Sequence, residues 1–162
     1  MEGKNKILIV LACLVLADAF VWAEIAGFSK SADAEIYFLD VGQGDSELVV
    51  FPGGARALID GGPGRKTASA LDSIIPRFDR RADLLILSHP EADHFFGMAE
   101  VLKRYEIGAF VWSGLLSENS AFPDFLGELK KRGIKIISVS AGDRIRQGDS
   151  VFEVLSPYKT AA

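Results

Sequence analysis

The chain has 162 residues, of which 49% are hydrophobic and 25% are charged, a composition typical of a folded domain and not of a disordered segment. Its formal net charge of −4 argues against a broad basic surface for nucleic acid, so any contact with a polyanion would be local. A single cysteine excludes an internal disulfide framework and a cysteine-rich zinc site.

An apolar segment opens the chain. After Lys4 and Lys6, the residues from Ile7 to Ala23 are apolar or small except for Asp18. This pattern predicts a membrane anchor or a secretory signal, with a helix buried in the domain as the alternative. Because the two lysines would stay on the cytoplasmic side, we expect the remaining chain to lie outside the cytoplasm, either membrane-anchored or secreted.

The sequence pattern divides the chain into three parts. Residues 1–28 are predicted to be the signal or membrane anchor, residues 29–34 a small and polar linker, and residues 35–162 one domain. The domain begins with short apolar runs separated by glycine-rich turns, a pattern that predicts strands in an antiparallel meander. These runs are Glu35–Val41, Ser46–Phe51 and Ala55–Asp60.

The rest of the domain alternates between helical and extended patterns. Apolar residues recur at helical spacing from Thr67 to Phe78, and the continuous apolar run Ala82–His89 predicts a strand buried on both faces. A helix, a strand, a helix and a strand are predicted next, and a hairpin through Gly148 and Asp149 closes the chain. This order predicts an α/β fold in which helices cover a mixed sheet.

Both histidines of the chain lie in the stretch "SHPEADHFFG", where the predicted buried strand ends. The carboxyl ends of such strands are where open α/β sheets place their ligands. His89, Glu91, Asp93 and His94 supply two imidazoles and two carboxylates, a set that favours a transition metal. In a turn all four side chains can point into one space, whereas a strand or a helix would not allow this. The alternative is a solvated polar turn with two incidental histidines.

The motifs "GQGD", "IDGG" and "HPEADH" occur in that order. With them, the chain from Tyr37 to about Pro157 resembles the metallo-β-lactamase-fold hydrolase domain of the ComEC competence proteins. The resemblance implies the αββα fold of that family, apparently only its first half, behind an N-terminal apolar helix. It also implies a metal-dependent hydrolase of phosphodiester bonds, a nuclease of the type used in DNA uptake, acting outside the cytoplasm.

The same resemblance assigns roles to individual residues. It implies two divalent metal ions, zinc or manganese, the first bound by His89 and Glu91 and the second by Asp93 and His94. Asp93 would also be the catalytic residue, because it would orient the attacking water. Asp45 and Asp60 would lie near the site without coordinating a metal, and Asp60 would accept a hydrogen bond from an imidazole N–H.

The chain departs from the family pattern in two ways. Glu91 stands where the superfamily has a second histidine, and a carboxylate tilts the site from zinc toward manganese. No histidine follows His94, and Asp143 and Asp149 lie too early to be the metal-bridging aspartate of the family. We therefore expect a domain that is incomplete at its C-terminal end, either as a fragment, as a chain completed by a partner subunit, or as a protein without catalysis.

These expectations leave two classes of function. In the first, the chain is a hydrolase whose partners are DNA or another phosphodiester and, through its N-terminal segment, the membrane. In the second, it is a catalytically inactive half-domain that acts only as a binding module.

Overall fold

The structure, a computed structural model, describes residues 2–27 and 33–158. The chain divides after residue 30 into two compact units. The described residues of the first unit form one helix, α1 (Glu2–Gly27). Most of the predicted linker, residues 29–34, lies outside the described residues.

Helix α1 is long and apolar enough to cross a membrane. The segment Gly3–Ala23 has 21 residues and a mean hydropathy of 2.3, and none of its most apolar part is buried. A segment of this length and hydropathy suits a membrane anchor or a signal sequence. Length and composition do not distinguish an anchor from a signal.

The second unit is built on a six-stranded mixed sheet with strand order β1-β2-β3-β4-β5-β6. The first three strands form the predicted antiparallel meander, and β3 to β6 run parallel to one another. The strands are β1 (Glu35–Phe38), β2 (Glu47–Val50), β3 (Arg56–Ile59), β4 (Arg81–Ile86), β5 (Glu106–Trp112) and β6 (Lys135–Ser138). The predicted α/β fold class is confirmed.

Three helices connect the parallel strands: α2 (Lys66–Ile74), α3 (Ala92–Val101) and α4 (Phe122–Lys131). Because the strand order advances in one direction and parallel crossovers are right-handed, all three pack on the same face of the sheet. The core beneath them contains an aromatic group in which Phe95 contacts Phe122 and Phe125, with ring centroids 5.1 and 5.7 Å apart. This core fixes α3, the helix that carries two of the predicted site residues.

The opposite face of the sheet is only partly covered. A two-stranded hairpin, β7 (Arg144–Gln147) and β8 (Ser150–Glu153), packs there through Phe152, whose ring meets that of Phe51 edge to face at 5.0 Å. The prediction that the run at β4 is buried on both faces was wrong in this respect. Leu85 is fully buried under the helices, whereas Leu84 and Ile86, under the hairpin, are only partly buried.

Candidate metal centre

The four predicted metal ligands lie in the loop after β4 and at the start of helix α3. His89 lies in the loop after β4, Glu91 is the extended N-cap residue of α3, and Asp93 and His94 belong to the first turn of that helix. The expectation that all four lie in a turn is corrected, since the helix begins at Ala92. Asp93 suits its position because carboxylates are stabilised near a helix N-terminus.

The loop and the helix still bring the two imidazoles together. The ring centroids of His89 and His94 lie 3.8 Å apart. The His94 side chain is 7% exposed, whereas those of His89 and Asp93 are each 46% exposed and that of Glu91 is 71% exposed. One imidazole is therefore fixed inside the domain, and the other three donors border solvent.

Asp60 lies directly after β3, beside the end of the parallel strand β4. Its backbone has a φ of +54°, which is uncommon for residues other than glycine but tolerated by aspartate. Its N–H donates to the Ile86 carbonyl at 2.9 Å, and its carbonyl accepts from Ser46 Oγ at 3.0 Å. Asp60 is 3% exposed, so its buried carboxylate requires hydrogen-bond donors.

Those donors come from Ser88 and His94. The Ser88 N–H donates to Asp60 Oδ1 at 2.9 Å, and the Ser88 hydroxyl donates to Asp60 Oδ2. Oδ2 also lies 2.8 Å from His94 Nδ1. Since an ionised carboxylate only accepts hydrogen bonds, the neutral imidazole of His94 carries its proton on Nδ1 and keeps a lone pair on Nε2.

Ser88 connects Asp60 to the second histidine, His89. Its oxygen lies 2.8 Å from His89 Nδ1. Because the single hydroxyl proton of Ser88 is given to Asp60, the oxygen accepts from His89 Nδ1, and His89 Nε2 is also left with a free lone pair. One buried carboxylate thus sets the tautomer of both imidazoles, directly for His94 and through Ser88 for His89.

Each free imidazole nitrogen faces a carboxylate. His89 Nε2 is 4.0 Å from Glu91 Oε2, and His94 Nε2 is 3.9 Å from Asp93 Oδ1. Two ligand atoms bound to one divalent ion at about 2.0 to 2.2 Å lie at most about 4.4 Å apart. Each pair therefore fits around a metal ion without a large rearrangement, and its nitrogen and oxygen donors suit a divalent transition metal.

Asp60 is itself close enough to be considered as a ligand. Asp60, His89 and His94 each offer a ligand atom, and these atoms lie within 4.8 Å of one another. The Asp60 oxygens already accept three hydrogen bonds, from Ser88 N, Ser88 Oγ and His94 Nδ1. We therefore infer that Asp60 orients the imidazoles. Metal-binding histidines generally donate their second ring N–H to a group of this kind, which fixes the orientation of the ring.

Asp45 lies outside this three-residue cluster. It is exposed, and its carbonyl accepts a hydrogen bond of 3.1 Å from the Gly62 N–H, which ties the "GQGD" turn to the loop after β3. The structure therefore brings His89, His94 and Asp60 into close contact and leaves the Asp45 side chain at the margin of the site.

Sequence reasoning missed two residues of this region. Ser88, directly before His89, joins both His89 and Asp60, and its position at the strand end was the only signal in the sequence. Glu47 lies opposite Ile59 in the β2–β3 pairing, next to Asp60. The predicted meander would have placed it there.

Glu47 has an altered acidity. Burial raises the pKa of its carboxyl, the charges of Asp45 and Asp60 raise it further, and His94 acts in the opposite direction. Folding therefore favours the protonated form of Glu47 relative to the unfolded chain, and stability should decline as the pH rises above the ordinary pKa of a glutamate. Acidic groups that repel one another in this way attract cations to the site.

Glu47→Gln should stabilise the metal-free protein at neutral pH, because the amide removes the cost of ionisation. In thermal unfolding with a chelator present, we expect Tm of the variant to exceed that of the parent at pH 8, with the difference shrinking toward pH 4. Glu128→Gln is a control of opposite sign, since a hydrogen bond from Arg132 lowers the pKa of Glu128. A gain for Glu47→Gln that is larger at pH 4 than at pH 8 would contradict the assignment.

Gly44, in the "GQGD" turn, packs directly against a predicted ligand. It has a φ of +75°, and a Cβ at this position would lie 2.4 Å from the Asp93 carbonyl oxygen. Gly44→Ala should therefore push the start of α3 away and weaken metal binding about tenfold, although no ligand is removed. Titration calorimetry with Mn²⁺ or Zn²⁺ would measure this change.

Gly53→Ala separates the steric effect from backbone strain. Gly53 also has a positive φ, +92°, but no atom of the described residues lies within 4 Å of its added Cβ. Both variants carry the strain of a side chain at positive φ, about 1 to 3 kcal/mol. Only Gly44→Ala should lose metal affinity, and equal losses in the two variants would show that strain alone is responsible.

Comparison with known proteins identifies the family. The model of the metallo-beta-lactamase superfamily matches residues 39–155. The chain is also similar to ComE operon protein 3 of Bacillus subtilis (strain 168), with 30% identity over 166 residues. That alignment covers 91% of this chain and 20% of the relative, so the chain spans about a fifth of the relative's length. Together with the orientation of two imidazoles toward carboxylates, these matches show that the chain belongs to the metallo-beta-lactamase superfamily, a family of metal-dependent hydrolases.

Proposed function

We propose that the protein is a metal-dependent phosphodiesterase of the nuclease type that acts outside the cytoplasm. The observation that carries the proposal is the pair of imidazoles with free Nε2 atoms, each within 4.0 Å of a carboxylate oxygen. Two such pairs side by side supply ligands for two divalent ions, an arrangement suited to phosphoryl transfer.

The first ion would be held by His89 and Glu91, and the second by Asp93 and His94. Because each pair includes a carboxylate, the set suits manganese as well as zinc. Bound ions would lower the pKa of a water molecule and polarise the phosphoryl oxygen of the substrate.

The protein's own residues would have three tasks. Asp60 and Ser88 keep both imidazoles in the tautomer that presents Nε2 to the site. The Asp93 carboxylate, 46% exposed, would orient the attacking water toward phosphorus. The carboxylates of Asp45 and Asp60 place negative charge close to Glu47, which favours cation binding in this region.

The location and the substrate are proposed on separate grounds. Helix α1 supports a membrane anchor or a signal, and the positive charges of Lys4 and Lys6 support a domain outside the cytoplasm. The ComEC-type resemblance favours DNA or another phosphodiester as the substrate. Since the chain has a net charge of −4, such a substrate would be held mainly at the metal ions.

A second candidate function is association without catalysis. Ile36 and Phe38 on the edge strand β1 are 59% and 81% exposed, and they lie on the face of the sheet that the hairpin covers only in part. An exposed apolar edge strand favours pairing with further strands. The domain would then act as a binding module, with a partner subunit on this face.

The two candidates can be separated with the full-length chain in detergent. We would measure metal content after dialysis and the cleavage of bis(p-nitrophenyl) phosphate and single-stranded DNA, in the parent and in the double variant His89→Ala, His94→Ala. Near-stoichiometric manganese or zinc with cleavage, both lost in the variant, is the expected result. Metal-free and inactive parent protein would exclude the phosphodiesterase and favour the binding module.

Asp149→Asn is a suitable control for these measurements. Asp149 is an exposed carboxylate in the β7–β8 turn and belongs to the second unit, as the histidines do. The control should keep both the metal and the activity of the parent.

A further inference from the structure

A cleft lies beside the candidate metal centre. It has a volume of about 560 Å³. The segment from His89 to Asp93 forms one wall, and the loop from Leu115 to Asn119, between β5 and α4, forms the other. A substrate bound at the metal centre through its phosphate would extend part of its remaining structure into this cleft.

The loop presents two adjacent leucines. Leu115 is 55% exposed and Leu116 is 82% exposed. The loop is held by its own hydrogen bonds, in which Asn119 N–H donates to Ser117 Oγ at 3.1 Å and Ala121 N–H donates to Asn119 Oδ1 at 2.9 Å. The exposed apolar surface is therefore presented by a structured loop, which favours contact with a ligand.

The charges of the cleft restrict what can bind there. Glu91, Asp93 and Glu118 line it, and none of the described residues in its walls is a lysine or an arginine. With Glu91 and Asp93 bound to the metal ions, a second phosphate deeper in the cleft would meet the Glu118 carboxylate, and no lysine or arginine among the described residues of the walls would offset the repulsion. An uncharged group would avoid this repulsion, and a planar ring could cover the apolar surface of both leucines.

We propose that Leu115 and Leu116 form a specificity wall for an uncharged planar ring, such as a nucleobase, attached next to the phosphate that binds at the metal centre. This inference rests on the proposed phosphodiesterase function and adds the part of the substrate that gives selectivity. The leucines contact the ring, and the metal centre contacts the phosphate.

Binding provides the first test. Manganese-loaded full-length protein in detergent is titrated by calorimetry with thymidine 5′-monophosphate and with 2-deoxyribose 5-phosphate, which lacks the base. The parent should bind the nucleotide about tenfold more tightly, and the variant Leu115→Asn, Leu116→Asn should lose this preference while keeping its manganese. Leu155→Asn, a change of another exposed leucine outside the cleft, should keep the preference.

Catalysis provides a second test that separates this inference from the proposed function. Thymidine 5′-(p-nitrophenyl) phosphate and methyl p-nitrophenyl phosphate release the same product and differ in the flanking group. The double leucine variant should lower kcat/KM about tenfold for the first ester and less than twofold for the second.

The binding and cleavage results together distinguish the specificity wall from the proposed phosphodiesterase function. If neither ester is cleaved but the binding preference exists and depends on the leucines, the proposed function fails and the specificity wall stands. If the parent shows no preference for the nucleotide, binds neither compound, or shows a preference that survives in the double leucine variant, the specificity wall is wrong, whether or not the esters are cleaved.

Discussion

Asp60→Asn is expected to lower the affinity for Mn²⁺ or Zn²⁺ by about 10- to 100-fold while leaving the fold intact. Three donors converge on the Asp60 carboxylate, from Ser88 N, Ser88 Oγ and His94 Nδ1. An amide offers only one acceptor atom, and its NH₂ group would face a donor. If the NH₂ group takes the place of Oδ2, His94 Nδ1 can accept from it only by moving the imidazole proton to Nε2, which would remove the lone pair needed for a metal. In the opposite orientation the NH₂ group would face the Ser88 N–H, and two donors would meet.

The choice of asparagine keeps backbone effects small. Asp60 has a φ of +54°, and asparagine tolerates this left-handed region about as well as aspartate does. Metal titration by calorimetry, with thermal unfolding of the metal-free protein, would measure affinity and stability separately. Asp149→Asn is the matched control for the loss of one carboxylate. Unchanged affinity in Asp60→Asn would contradict the orienting role of Asp60.

Ser88→Ala tests separately the two hydrogen-bonded connections of Asp60, to His89 through Ser88 and directly to His94. The change removes the hydroxyl between Asp60 and His89 but leaves the contact between Asp60 and His94. We expect a weaker metal interaction through His89 and an unchanged one through His94, so the loss of affinity should be smaller than in Asp60→Asn.

Gly97→Ala is expected to produce the largest loss of stability. Gly97 lies in α3, and a Cβ there would be 1.6 Å from the Gly61 carbonyl oxygen and 2.9 Å from that of Gly64. Both neighbours are backbone atoms, so the helix and the loop after β3 would have to separate. Overpacking of this kind costs about 1 to 3 kcal/mol where side chains can adjust, and we expect at least about 3 kcal/mol where only backbone can move.

Gly127→Ala is the matched control for this change. Gly127 lies in α4, and within the part of the chain that the structure describes no atom is within 4 Å of its added Cβ. There, alanine should raise the free energy of unfolding by about 0.5 to 1 kcal/mol through helix propensity. Urea unfolding of both variants would compare them, and a Gly97→Ala protein as stable as its parent would show that α3 and the loop are not packed as described.

Gly97→Ala should also weaken metal binding at the candidate metal centre. The Gly61 N–H donates to the His94 carbonyl at 2.7 Å, and the Gly97 N–H donates to the Gly62 carbonyl at 2.9 Å. These two bonds fasten the start of α3 to the residues that follow Asp60. A variant that folds with the helix displaced should therefore also bind metal more weakly.

Much of the fold follows from the sequence because local patterns and topology agree. The antiparallel meander follows from short apolar runs with tight glycine-rich turns, and the parallel part from alternating helical and extended patterns. The partial exposure of Leu84 and Ile86 could not be predicted in this way. A continuous apolar run shows that both faces of a strand favour burial, but not how much of each face the rest of the chain covers.

The sequence pointed to the residue types of the candidate site and not to the hydrogen bonds that connect them. Two histidines and two carboxylates within six residues point to a metal, and parallel strands place Asp60 near them. The hydrogen bond between Ser88 and His89, however, depends on side-chain orientation at the end of β4. The tight contact of Gly97 with Gly61 depends on the position of a helix relative to a loop, which residue spacing does not specify.

The tautomers of the two histidines test the central claim most directly. The chain contains only these two histidines, so ¹⁵N NMR of the side chains in zinc-loaded protein gives two pairs of nitrogen signals, assigned with the His89→Ala and His94→Ala variants. We predict that both imidazoles are protonated at Nδ1 and bind zinc through Nε2. Coordination through Nδ1, or imidazole signals that zinc leaves unchanged, would contradict the account.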